Sequence, residues 1–119
     1  YDEGVFAPGH CSAWVNRKCE RGDSSTEPYI VTHNQLLAHS AAYHLYKNKY
    51  PQHTAEIGIT LVTHWFVPYS NSSEDMDAAQ RGLDWLYGWY MDPLTYGHYP
   101  RTMVDLLGSR LPTFTEEES

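Results

Sequence analysis

Cys11 and Cys19 are the residues whose spacing bears most directly on chemistry. A bridge between them would close a nine-residue loop, worth about 2.5 kcal/mol in the chain-entropy picture. Two free thiols, or half of a metal site, is the alternative. A zinc site would want closer cysteine spacing and further ligands nearby, and His10 alone does not supply them. The disulfide reading implies an oxidising compartment. Seven histidines invite the question of metal: His10, His33, His39, His44, His53, His64 and His98. His33 and His44 share a helix face, but at i,i+11 they stand about 16 Å apart along the axis. One ion cannot span that, so no metal is expected. Ser-His-Asp catalysis lacks a supporting G-x-S-x-G element, and no glycine-rich phosphate loop occurs. Asn71-Ser72-Ser73 is an N-glycosylation sequon.

These groups must be held by regular elements. Residues 1–27 have no helical or strand period and are punctuated by Gly4, Pro8-Gly9 and Gly22, so they read as a long loop. Ser24-Ser25-Thr26 offers N-cap oxygens, with Glu27 and Pro28 suited to a first helical turn. Ile30, Leu37, Ala41, His44 and Leu45 then share one face. Lys47 and Lys49 favour a helix end before Pro51. Ile57–Val62 is a β-branched, nearly continuous apolar run, the pattern of a strand covered on both faces. A buried helix over Ile57–Val67 is the alternative, opposed by Gly58 and two threonines. A loop through Ser70-Asn71-Ser72-Ser73 leads to a helix starting near Glu74-Asp75. Met76, Ala79, Leu83, Leu86 and Tyr90 form its apolar face, and it is expected to end by Asp92-Pro93. A short helix carrying Met103, Leu106 and Leu107 is bounded by Gly108 and Pro112. Thr115 with Glu118 is a capping box that opens one more helix.

The chain has 119 residues, 8 Lys+Arg against 15 Asp+Glu and a formal charge of −7. That balance excludes a nucleic-acid partner, which requires a basic patch. No apolar run approaches the roughly 20 residues of a membrane helix, so no membrane association is expected. Ten Tyr, 4 Trp and 3 Phe argue against disorder. Within this α/β pattern there is one convincing strand and no second run able to pair with it. Unpaired strand groups in a dry interior cost about 1–3 kcal/mol each. With the start at Tyr1 and a cap close to Ser119, the expectation is an incomplete segment, 1–119, of one larger domain.

Ala7-Pro8-Gly9-His10-Cys11-Ser12, Thr26-Glu27-Pro28-Tyr29-Ile30-Val31-Thr32-His33-Asn34, Gly88-Trp89-Tyr90-Met91-Asp92-Pro93-Leu94 and Arg110-Leu111-Pro112-Thr113-Phe114-Thr115 occur in that order. In this the chain resembles plant β-glucosidases of glycoside hydrolase family 1, with the cyanogenic type similar around Cys11–Arg17. The resemblance implies part of a (β/α)8 TIM barrel: the loop after strand 4, helix 4, strand 5 and the following helices. It implies a retaining hydrolase of O-β-D-glucosides of plant metabolites, a small-molecule substrate and no cofactor.

Retaining hydrolysis needs two carboxylates about 5–5.5 Å apart. The family's T-x-N-E-P and T-E-N-G motifs are both missing, so no catalytic residue is expected within this segment. Thr26-Glu27-Pro28 lacks the preceding Asn and follows a serine run, and Glu27 reads as a helix-start carboxylate. Glu74, Asp75, Asp77 and Glu116–Glu118 read likewise as first-turn charges. The C-terminal end of a barrel strand faces the active site, which makes His64, Trp65 and Phe66 the candidate contacts on the aglycone side. Inter-layer packing is the other reading of Trp65 and Phe66. Trp85, Trp89 and Tyr90 read as core. A thioglucosidase, or a non-catalytic secreted protein descended from the barrel, are the rival functions; these residues leave the aglycone and the oligomeric state open. The sequon and the disulfide reading together imply the secretory route, to apoplast, vacuole or a related plant compartment.

Overall fold

A computed structural model describes all 119 residues. Four α-helices follow the initial loop: α1 (Glu27–Lys49), α2 (Ser73–Leu83), α3 (Trp89–Tyr96) and α4 (Arg101–Leu107). A π-helical turn, Asp84–Gly88, joins α2 to α3 without a break, and a 3-10 turn, Gly108–Arg110, follows α4. No helix is long and apolar enough to cross a membrane.

The anticipated strand at Ile57–Val62 forms no ladder, and the segment is not helical either. No backbone–backbone hydrogen bond involves residues 54–71. The physical reason is the one the sequence raised: a strand's bonding partners lie on its neighbours, and no other stretch of this chain supplies them. As observed, the chain is an assembly of helices around an unpaired segment.

α1 occupies the expected residues, but its cap and buried face differ from expectation. Thr26 stands at the N-cap position without bonding a helical amide. Its hydroxyl, with the amide and hydroxyl of Ser25, donates instead to the Asp23 carboxylate. The expected stripe is open: Ile30 is 48% and Leu45 68% exposed. The face turned to the core carries Tyr29, Thr32, His33 and Leu36, of which Thr32 and Leu36 are buried. It escapes a hydropathy pattern because tyrosine hydroxyls hold its polar members. Thr32 Oγ1 and Tyr90 Oη are 3.1 Å apart, and His33 Nδ1 and Tyr99 Oη 3.0 Å. Tyr90 also donates to Gln35 Oε1 at 2.6 Å.

Ser72 caps α2, its hydroxyl accepting from the Asp75 amide at 3.2 Å. The helix was expected to stop before Pro93 but runs through it to Tyr96, and Gly97 ends it at φ 77°. A proline inside a helix costs about 3 kcal/mol. Trp85, Trp89 and Tyr90, packed against the core on the same run, supply the opposing stabilisation. At the junction, the Trp89 amide reaches back to the Asp84 carbonyl, the five-residue step of a π turn.

The core is Leu36, Tyr99, Met103, Leu107 and Leu111, with Tyr29, Trp85, Trp89, Tyr90 and Phe114 around it. Met103 and Leu107, one helical turn apart, are buried, whereas Leu106 is 60% exposed. The Thr102 hydroxyl ties α4 to the π turn by donating to Asp84 Oδ2 at 2.5 Å. At Thr115 only half of the expected capping box is present. The Glu118 carboxylate accepts from the Thr115 amide at 2.9 Å, but the Thr115 hydroxyl donates to that carboxylate instead of accepting from the Glu118 amide, and residues 116–118 form a turn rather than the expected helix. Only 12 of 119 residues are buried. The radius of gyration is 16.9 Å, against about 13.5 Å for a closed domain of this length. This is an open structure with apolar faces in excess of what its own elements cover.

Candidate functional site

The loop before α1 is fastened in three ways. Cys11 and Cys19 form a disulfide, with Cα atoms 5.5 Å apart. Ser12 and Ser24 clasp reciprocally: each hydroxyl accepts from the other's amide, at 2.8 and 2.9 Å. Ser24 Oγ also donates to the Asp2 carbonyl at 2.7 Å. The loop arms meet where the Cys11 amide donates to the Arg21 carbonyl. Gly22 permits this approach. Its φ is +120°, and a Cβ there would lie 2.6 Å from the Cys11 nitrogen. The reciprocal serine pair left no sequence signal beyond two serines twelve residues apart.

Glu27 sits in the first turn of α1, where a carboxylate suits the helix dipole. Its Oε2 lies 3.4 Å from His10 Nδ1, with both side chains about a quarter to a third exposed. Asp23 accepts three hydrogen bonds from Ser25 and Thr26, which hold its carboxyl below the usual range. These acids organise the loop and the helix start.

The segment expected to contact substrate ends at His64-Trp65-Phe66. Trp65 is 80% exposed, and His64 is exposed beside a 3.3 Å hydrogen bond from the Thr63 hydroxyl to its carbonyl. Phe66 is half-buried, its ring against Gly82 of α2. Ile57 and Ile59, two residues apart, both face a cleft shared with α1. Strict alternation from Ile59 would bring Trp65 onto the helices, but the structure brings Phe66 there. Without a ladder, nothing enforces the pleat between them. Phe66 therefore takes the packing role that the sequence left open for both rings, and Trp65 remains free.

The cleft, about 580 Å³, lies between Leu37, Tyr43 and His44 of α1, Ile57 and Ile59, and Met91 and Leu94. Its carboxylates are Glu117 and Glu118, and Glu118 is engaged by the amide and hydroxyl of Thr115. Those bonds hold the Glu118 carboxyl low. One carboxyl is instead raised: Asp92, by burial first and then by the neighbouring Asp84. That pair is no acid/base couple facing a ligand. Asp84 is bonded by Gln80 and Thr102, and neither aspartate lines the cleft. Of the two histidines on one α1 face, His33 meets Tyr99 and Phe114, and His44 meets Tyr43. No group of three or more His, Cys, Asp or Glu side chains is placed to hold a metal ion. Asn71 is exposed in the loop just before α2.

Comparison with known proteins identifies relatives along the whole chain. The family model described as Glycosyl hydrolase family 1 matches residues 1–119. Beta-glucosidase 12 of Oryza sativa subsp. indica is 53% identical over 120 residues, covering 100% of this chain and 24% of its own length. The cyanogenic beta-glucosidase of Trifolium repens is 55% identical over 120 residues, covering 100% of this chain and 28% of its own length. The crystal structure of a rice β-glucosidase, Os3BGlu6, superposes with a TM-score of 0.94 at 43% identity, over 99% of this chain and 25% of that one. The chain thus spans about a quarter of the length of the proteins it matches.

Proposed function

The chain belongs to glycosyl hydrolase family 1, and from that premise we propose that it is one segment of a retaining β-glucosidase acting on O-β-D-glucosides of plant metabolites. The observation that carries the reading is the uninterrupted match, at over half identity, to β-glucosidases four times as long. The unbonded backbone of residues 54–71 supports it. In a (β/α)8 barrel this segment is strand 5, α1 is helix 4, and neighbouring strands complete the ladder on both edges. The open apolar cleft and the small core fit the same reading, because a barrel's other elements would cover them.

Retention requires an acid/base and a nucleophile about 5–5.5 Å apart. Of the cleft's two carboxylates, Glu118 is engaged by Thr115, and neither lies in a T-x-N-E-P or T-E-N-G motif, so we place both catalytic carboxylates outside residues 1–119. What this segment contributes is placement. Strand 5 ends at the substrate-facing side of the barrel, where His64 would offer a hydrogen bond and Trp65 an apolar plane to an aglycone. Phe66 holds that end against α2. The loop fastened by Cys11–Cys19 would sit on the same side, and its disulfide fits a secretory, oxidising location.

The test is hydrolysis of a chromogenic β-glucoside, together with the intact mass of the native protein. The 119-residue chain is expected to release no aglycone, and the native protein to be several times longer and active. Aglycone release by the 119 residues alone would overturn the placement of the carboxylates.

A further inference from the structure

We propose that Asn71 carries an N-linked oligosaccharide, on the surface loop that leads into α2. Only one of the chain's four asparagines, Asn71, is followed at the second position by Ser or Thr. The structure adds what the motif cannot show. Asn71 is exposed, in a loop tied to the first turn of α2 by the Ser70 hydroxyl, which donates to the Asp75 carboxylate.

The two serines of the sequon do different work. Ser72 is the helix cap, its hydroxyl taken by the Asp75 amide at 3.2 Å. Ser73, whose hydroxyl the transfer reaction needs, contacts only the exposed Glu74 carboxylate at 3.2 Å. Glycosylation and helix capping are therefore separable by mutation.

The co-reactant is a lipid-diphosphate-linked oligosaccharide. Asn71 Nδ2 forms a bond to the anomeric carbon as the carbon–oxygen bond to the diphosphate breaks. The lipid diphosphate leaves with the electron pair, and Nδ2 gives up one proton. No oxidant or reductant is involved. The proposal rests on the secretory location already proposed but not on where the catalytic carboxylates lie, so its failure would leave the β-glucosidase reading standing.

The experiment directs the full chain, behind a cleavable leader, into microsomes or a eukaryotic secretory host, and scores only the protease-protected chain. Formation of Cys11–Cys19 reports that this chain has met the lumen. Wild type is expected to lose mass on N-glycosidase treatment, with Asn71 converted to Asp. Asn71→Gln and Ser73→Ala should each abolish the shift, Ser73→Thr should keep it, and Ser72→Ala should keep it despite losing the cap. A protected, disulfide-bonded wild-type chain without sugar overturns the proposal, as does an undiminished shift in Asn71→Gln.

Discussion

Changing Gly82 to Ala, alone and together with Phe66→Ala, measures whether the end of the unpaired segment is truly seated on α2. A Cβ built on Gly82 would stand 2.9–3.0 Å from three atoms of the Phe66 ring, where ordinary carbon contacts are about 3.5–4 Å. Gly→Ala in a helix interior by itself stabilises by about 0.8–1 kcal/mol. Overpacking against a ring that cannot retreat costs about 1–3 kcal/mol. The single variant is thus expected to lose about 0–2 kcal/mol net, whereas in the Phe66→Ala background the same change should gain about 1 kcal/mol. The coupling between the two sites is the difference, about 1–3 kcal/mol. Urea denaturation of the four proteins, followed by far-UV circular dichroism, reads it directly, provided the dependence on urea is the same for all four. A coupling under about 0.5 kcal/mol is ordinary additivity. That result would refute the seating of Phe66 on α2, and with it the assignment of Trp65 as the free ring.

Two more outcomes follow from the electrostatics and the loop. Asp92 is raised by burial and by Asp84, with His98 opposing, so the folded chain holds its proton more readily than the unfolded chain. Its contribution to stability therefore falls as pH climbs from the ordinary carboxylate range through the raised value. Asp92→Asn should be the more stable protein at neutral pH and show a steeper acid limb in a thermal-melt series, because protonation of Asp92 no longer offsets the loss from the lowered carboxyls of Asp23 and Glu118; an unchanged limb would count against the burial of that carboxyl. Replacing both Cys11 and Cys19 by Ser should cost about 2.5 kcal/mol for a loop of nine residues. It should also speed proteolysis within residues 1–26 while the helical dichroism persists. Equal proteolysis rates would mean that the serine clasp alone holds the loop.

The elements that could be read from the chain by itself were those whose signals are local. α1 begins and ends near its expected bounds because Pro28, the terminal lysines and Pro51 act on their own neighbours. The contact of the Glu118 carboxylate with the Thr115 amide formed for the same reason, needing only residues three apart, while the helix expected to follow it did not. The Cys11–Cys19 bridge was legible because its loop is short and nothing nearby completes a metal site. The family resemblance, carried by ordered motifs along the chain, agrees with the comparisons.

What the tertiary structure decided were the choices that depend on a partner. Which face of α1 is buried was settled by Tyr90 and Tyr99, whose hydroxyls make Thr32 and His33 acceptable toward the core; a hydropathy stripe pointed to the other side. Pro93 stayed inside its helix because three aromatic side chains of that run pack on the core, outweighing a local preference to stop. Asp92 acquired its raised carboxyl from burial first and then from Asp84, eight residues back across the π turn. Ile57–Val62 shows the division most plainly. Its strand pattern is written in its own residues, but a strand exists only through hydrogen bonds to another, and no run among these 119 residues supplies one. Composition and spacing determined what each piece could become; the partners within reach determined which pieces did.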